Sequence, residues 1–165
     1  MTCQLNSCIQ EIRALVSTLK FDHDVIDFAK SCEKQLKEVI GKSANVAGVY
    51  IIYAQNNGQT QDHLLYIGKS GTIAQDGSIG SQKIAKRILN VRAKRPDKTR
   101  IKGNEFFPML LNGEIGDMGQ WDVLRIEWIE TYRKMEGMPP FLAEAKLLAA
   151  FLSDTGKLPP LNKKA

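Results

Sequence analysis

One acidic side chain lies where an acid is costly. Glu144 sits in a segment with helical periodicity, and its neighbours at i−3, i+4 and i+7 are Phe141, Leu148 and Phe151. A carboxylate on an apolar stripe is unfavourable unless a positive group meets it. Three partners fit: Arg87, a lysine or a metal ion. The structural alternative is that acids favour the first turn of a helix, where one salt bridge would satisfy Glu144.

Two tyrosines lie in near-matching triplets, GVY at 48–50 and YIG at 66–68. The apolar and aromatic residues around each triplet predict strands, and Asn57-Gly58 between them is a strong turn signal. A hairpin of this kind places Tyr50 and Tyr66 on one face of the sheet. Two tyrosines on a hairpin are also common structural residues, which pack the ring and leave the hydroxyl in water.

The elements that position these residues follow from hydrophobic periodicity. Both faces of the first hairpin strand are apolar, so we expect the strand to be covered on both sides. Residues 103–122 are rich in glycine and predict irregular structure. The predicted strands are 48–55, 64–70 and 123–132, and the predicted helices are 8–20, 24–40, 81–95 and 139–155.

Composition limits the class of protein. The chain has 165 residues, enough for one domain with a real core, and its longest apolar run, Leu147–Leu152, is far too short to span a bilayer. The first residues lack the pattern of a signal segment, so we expect a cytoplasmic protein without a membrane partner. The cysteines at 3, 8 and 32 match no common zinc-ligand or disulfide spacing.

Positive charge is concentrated in one segment. Between Lys83 and Lys102 nine basic residues face only one acid, Asp97, which gives a net charge of +8 and leaves −3 for the rest of a chain whose total is +5. Such a segment predicts contact with a polyanion, most simply a nucleic-acid backbone, although a solvated helix face has the same composition. Besides Arg87, its basic residues are Lys83, Lys86, Arg92, Lys94, Arg95, Lys98, Arg100 and Lys102.

The order of these features resembles the GIY-YIG nuclease superfamily. GVY is followed by YIGKS, a helical arginine, a glutamate in a late helix and PPLN near the C-terminus. The resemblance covers roughly residues 47 to 163. It implies a divalent-metal-dependent DNA endonuclease in which the two tyrosines line one catalytic surface.

The resemblance implies a role for each matching residue in handling water. Tyr50 would be the general base or would orient the attacking water, and Tyr66 would hydrogen-bond near the nucleophile and the phosphate. Lys69 matches a position that is often basic or polar in the family. A tyrosine with a pKa near ~10 is a poor base at neutral pH unless positive charge favours its phenolate, and Lys69 and the metal are candidates for that help. Strict alternation, however, puts Lys69 on the opposite face from Tyr66.

The remaining roles concern charge. Arg87 would hold the scissile phosphate, Glu144 would bind one Mg²⁺ or Mn²⁺ per active site, and Asn162 would brace the site. An arginine and a hard cation neutralise the charge that develops when a phosphodiester breaks. Two departures stand out: the loop between the tyrosines is longer than usual in the family, and Val91 occupies a position that is often His or Tyr.

We therefore expect an α+β fold, a small three-stranded antiparallel sheet flanked by helices, with a helical N-terminal extension at 1–44 and a nuclease domain at 45–165. The extension would serve packing or form the face of a homodimer. The rival function is a catalytically inactive nucleic-acid-binding module with the same fold. A third reading is a protein-interaction scaffold, and the class of DNA substrate stays open.

Overall fold

The structure is a computed structural model that describes residues 3–29, 47–57, 62–80, 87, 103–115 and 118–162. This part of the chain forms an α+β fold, with three helices and an open antiparallel sheet of five strands. In chain order the elements are α1 (Cys3–Leu19), β1 (His23–Ala29), β2 (Ala47–Gln55), β3 (His63–Ser70), α2 (Gly103–Leu111), β4 (Val123–Arg133), β5 (Glu136–Gly137) and α3 (Pro140–Thr155).

The three predicted strands are confirmed and lie side by side. The sheet has the order β1-β4-β2-β3, with β5 paired to the end of β4. β2 is central, and it pairs antiparallel with β3 on one side and with β4 on the other. The outer strand β3 therefore presents one edge toward the C-terminal segment.

Both faces of β2 are buried, as its pattern predicts. Tyr50 and Ile52 pack on one face with α2. Val49, Ile51 and Tyr53 pack on the other face with α1 and α3. Alternating side chains of one strand thus enter two separate cores, because successive side chains of a strand point to opposite faces.

The predicted helix over 24–40 is wrong for its first residues. Residues 23–29 form β1, which pairs antiparallel with β4 from His23 opposite Ile129 to Ala29 opposite Val123. A free edge of β4 offers a full ladder of hydrogen bonds, and this pairing outweighs the helical periodicity of the first residues of the segment. Residues 30–40 lie outside the described residues. Part of the predicted helical extension is therefore a strand of the sheet.

The prediction of irregular structure over 103–122 is also wrong for its first half. Residues 103–111 form α2, which includes Pro108. Phe106, Phe107, Leu110 and Leu111 are buried, a spacing that places them on one side of a helix. The glycines of the segment predicted loops, whereas its first nine residues carry a short apolar stripe with helical spacing.

The other helices fall close to their predicted places. α1 begins at Cys3, five residues before the predicted start at residue 8. α3 begins with prolines at its N-terminus and ends at Gly156, whose φ of 72° is left-handed and whose N–H is donated to the carbonyl of Leu152. Of the predicted helix at 81–95 only Arg87 is described, and it is helical.

Candidate active site

Two tyrosine rings face each other across the β2–β3 hairpin. Tyr50 is buried on β2 and Tyr66 is half-buried on β3, and their ring centroids are 5.6 Å apart. The register pairs Tyr50 with Gly68, so the glycine lies beside both rings. A β-carbon at position 68 would stand 2.5 Å from a ring carbon of Tyr66 and 2.8 Å from the hydroxyl oxygen of Tyr50. The pair can close only because this residue is glycine.

The hydroxyl of Tyr50 is strongly held in its protonated form. Burial raises the pKa of Tyr50 well above its usual value, and the neighbouring Tyr66 raises it further through its charge and a side-chain hydrogen bond. At neutral pH Tyr50 is therefore a neutral hydroxyl, and its oxygen keeps lone pairs that can accept a hydrogen bond from water.

Two charged residues distant in sequence act on the same hydroxyl. Arg87 lowers the pKa of Tyr50. Glu144 raises it, and the effect of Glu144 is the smallest of those named here. These electrostatic effects link Tyr50 to Arg87 and Glu144, while direct contacts pair Tyr50 with Tyr66 and Glu144 with Lys69.

Arg87 carries a donor without an acceptor. Within the described part of the chain its Nε is buried and makes no hydrogen bond. Leaving a buried donor unpaired costs on the order of 1–3 kcal/mol, and more for a charged group. A planar guanidinium matches the geometry of a phosphate, so a bound phosphate oxygen would satisfy this atom.

Glu144 meets a lysine, one of the partners left open by the sequence. Its Oε2 lies 2.9 Å from Nζ of Lys69, and the two side chains are 20% and 41% exposed. A single accessible carboxylate also fits Mg²⁺ or Mn²⁺, since magnesium sites use one or two carboxylates and take their other ligands from water and substrate phosphate. No cluster of three or more His, Cys, Asp or Glu suited to a metal occurs among the described residues. Glu144 is the ligand that the resemblance implies for such a metal.

Lys69 lies on the opposite face of the sheet from Tyr66, as strict alternation predicts. Its register partner is Val49, which belongs to the core on the α1 and α3 side of the sheet. Its ion pair is with Glu144 on α3. A direct role in favouring the phenolate of Tyr50 stays a prediction, and the geometry links Lys69 first to the proposed metal ligand.

Asn162 ties the C-terminal segment to the edge of β3. Its Oδ1 accepts a hydrogen bond from the backbone N–H of Ile67 at 2.9 Å, and its Nδ2 donates to the carbonyl of Ile67 at 2.7 Å. The backbone N–H of Leu161 also donates to the carbonyl of Leu65 at 3.0 Å. These bonds satisfy an otherwise free strand edge between Leu65 and Gly68, and they hold in place the backbone that carries Tyr66.

The predicted nucleic-acid-binding residues and Val91 lie outside the described residues. These are Lys83, Lys86, Arg92, Lys94, Arg95, Lys98, Arg100 and Lys102. Their role stays a prediction from charge, and Arg87 is the one member of the basic segment whose surroundings are known.

A second polar cluster, missed by the sequence reading, lies on the opposite face of the sheet. Glu127 of β4 is 2% exposed, and its Oε1 lies 2.7 Å from Arg13 and 2.9 Å from His23. Its Oε2 accepts a hydrogen bond from the hydroxyl of Tyr53 at 3.3 Å. A charged residue in a strand is normally exposed, and only the packing of α1 on this face buries Glu127. The cluster joins α1, β1, β2 and β4, so it stabilises the packing of these elements.

No family model, curated protein or solved structure matches this chain. Among the helices of the described residues, none is both long and apolar enough to cross a membrane.

Proposed function

We propose that this protein is a divalent-metal-dependent DNA endonuclease of the GIY-YIG type, which hydrolyses phosphodiester bonds. The observation that carries the proposal is the convergence on Tyr50: its ring lies 5.6 Å from that of Tyr66, closed over Gly68, and the charges of Arg87 and Glu144 both shift its pKa. These residues come from separate parts of the chain, in the order in which the family's motif has them. A protein with a purely structural hairpin has no need of this convergence.

In the proposed mechanism Arg87 binds the scissile phosphate through its guanidinium, whose buried Nε supports this role because it has no acceptor within the described part of the chain. Positive charge preorganised at a phosphate stabilises the charge that grows there in the transition state. The cost of the orphaned donor is then relieved when substrate binds. This makes Arg87 a better phosphate ligand than an exposed arginine that is already hydrated.

Tyr50 orients the attacking water. Its raised pKa keeps the hydroxyl protonated at neutral pH, and its oxygen keeps lone pairs that can accept a hydrogen bond from that water. Of the two roles that the resemblance allows, orientation suits a hydroxyl whose pKa is raised, since a phenolate is scarce at neutral pH. Positive charge brought by the substrate complex would be needed before Tyr50 could act as the base.

Glu144 would hold the metal ion, with Lys69 as its counter-ion in the free protein. A bound Mg²⁺ or Mn²⁺ would neutralise the leaving 3′ oxygen. Asn162 contributes by fixing the edge of β3, and it touches neither water nor phosphate in this scheme.

The test is cleavage of plasmid and branched DNA with Mg²⁺, with Mn²⁺ and with a chelator. Wild type should cut only with metal, and Glu144→Gln should abolish cleavage while DNA binding and the melting temperature stay nearly unchanged. Glu11→Gln is the matched control. Glu11 of α1 forms an ion pair at 2.8 Å with Lys146, which lies on α3, the helix that carries Glu144. Full activity in Glu144→Gln would reduce Glu144 to a structural ion pair.

The second candidate, a nucleic-acid-binding module without activity, is favoured by the Lys69–Glu144 ion pair, because that pair already satisfies the carboxylate. This candidate predicts binding of DNA without cleavage under every metal condition. The same assay therefore separates the two.

A further inference from the structure

A cavity of about 390 Å³ opens beside the start of β3, away from the tyrosine hydroxyls. Its walls are mainly apolar and come from α1, β3, α3 and the C-terminal segment. This volume lies within the range of small-ligand sites and exceeds what a single nucleobase needs. The wall residues used below are Leu65, Trp121 and Phe151, with Asp62, His63 and Lys157 at the polar end.

Aromatic side chains dominate the part of the cavity nearest β3. The rings of His63 and Trp121 lie 5.2 Å apart at an angle of 45°. His63 is exposed, Trp121 is buried, and Phe151 of α3 is half-buried. Stacking on rings of this kind is how proteins hold bases that have left the double helix.

Charged residues line the polar end of the cavity. Asp62 forms an ion pair with Arg125 at 2.9 Å, and Arg125 also pairs with Asp27 at 2.7 Å. Lys157 is exposed at the same end and offers a positive charge to a phosphate. A purely apolar ligand would have no use for this lysine.

The cavity wall and the proposed active site share one hydrophobic core. Leu65 and Trp121 belong to the same core as Tyr50, and Tyr66 packs against that core. From His63 to Tyr66 the strand covers about 10 Å at roughly 3.3 Å per residue. A DNA strand rises about 3.4 Å per nucleotide, so the cavity lies about three nucleotides from a phosphate held at the tyrosines.

We propose that this cavity is a binding site for an unpaired base of the DNA strand that the enzyme cuts. This inference rests on the proposed nuclease function and narrows its substrate. DNA with an extrahelical base, a flap or a gap near the cleaved bond is preferred over a perfect duplex. Recognition comes from stacking on His63 and Phe151, and it does not require a particular base.

The test compares two fluorescent DNAs in chelator, where binding occurs without cleavage. One is a perfect duplex, and the other carries a single unpaired 2-aminopurine, whose emission is quenched on stacking. Wild type should bind the second DNA about tenfold or more tightly and quench its emission. His63→Ala and Phe151→Ala should each weaken that binding about fivefold or more, because stacking on one aromatic ring contributes at least this much. Leu152→Ala, at the exposed neighbour of Phe151, should change nothing.

The outcomes separate the two claims. Equal affinity for both DNAs, or unchanged preference in His63→Ala and Phe151→Ala, overturns the base-binding site while metal-dependent cleavage still supports the nuclease. Absence of binding to either DNA by folded wild type overturns both. His63 is exposed, so His63→Ala keeps the test valid even if Phe151→Ala loses stability.

Discussion

At the scale of single residues, Gly68 shows how much one position constrains the site. Its backbone pairs with Tyr50, and the space above its α-carbon is filled by the rings of Tyr50 and Tyr66. A methyl group there would force the tyrosines apart or displace β3. The residue therefore sets the separation of the two hydroxyls without taking part in chemistry.

Gly68→Ala should lower the single-turnover cleavage rate by about a hundredfold, since a displacement of about 1 Å in a catalytic group has effects of that size. The rate is measured together with the melting temperature. Gly80→Ala is the control, because a β-carbon there meets only Thr72, with its nearest atom at 3.3 Å. A Gly68→Ala protein that cuts at the wild-type rate would show that the spacing of the tyrosines is irrelevant.

The sequence predicted the shared face of Tyr50 and Tyr66 and the opposite face of Lys69, because strand alternation is strict. It left open whether Glu144 meets Arg87, a lysine or a metal. That choice depends on how far long side chains reach between α3 and β3, and periodicity does not contain this distance. The same holds for the Nε of Arg87, whose burial depends on the surrounding fold.

At the scale of elements, the sheet shows where local patterns fail. The hairpin was predictable from two apolar runs around a strong turn signal, and β4 from a short alternation of apolar and charged residues. β1 was not, because Val25 and Phe28 suit a helix and a strand equally, and only the free edge of β4 decides between them. A seven-residue segment rarely contains enough periods to separate the two.

The buried Glu127 cluster holds these elements together. Burial by itself would raise the pKa of Glu127, but hydrogen bonds from His23 and Arg13 outweigh it and leave the pKa below its usual 4.5. A carboxylate with a lowered pKa contributes stability that is present above its unfolded pKa and is lost as the pH falls through the folded value. The protein should therefore lose stability in acid below about pH 4.5.

Arg13→Met should destabilise the protein by about 1–3 kcal/mol at neutral pH, because it removes one partner of a buried acceptor. The acid-induced loss of stability should also shrink, since part of the lowering of the pKa of Glu127 disappears. Urea unfolding at several pH values measures both. Lys146→Met is the control, since Lys146 pairs with the exposed Glu11 and should cost about 1 kcal/mol or less. Equal losses for the two variants would contradict a special role of Glu127.

At the scale of the whole molecule, charge is the sequence feature that most directly predicts the partner. The segment from Lys83 to Lys102 carries +8 and the remainder −3. A DNA backbone neutralised by this segment releases counterions, so affinity should fall steeply with salt, by a log–log slope of about −0.9 for each phosphate contacted.

Glutamate substitution of Lys94, Arg95 and Lys98 should flatten that slope by about 2–3 and weaken binding to unrelated sequences alike. Titrations of labelled DNA at several salt concentrations give the slope. Lys20 and Lys134, exposed at turns elsewhere in the chain, provide the control when both are changed to glutamate. An unchanged slope in the triple variant would assign the segment to a solvated face.

The central claim is that the hydroxyl of Tyr50 serves cleavage, and a pair of matched variants tests it most directly. Tyr50 and Tyr53 are both buried tyrosines of β2, on opposite faces of the sheet. Tyr50→Phe and Tyr53→Phe each remove one hydroxyl and keep the ring. The measurement is the single-turnover rate of metal-dependent DNA cleavage as a function of pH for both variants and wild type. We predict that Tyr50→Phe loses about 10²–10⁴ in rate and Tyr53→Phe keeps the wild-type rate. A Tyr50→Phe protein that cuts as fast as wild type at every pH would contradict the account.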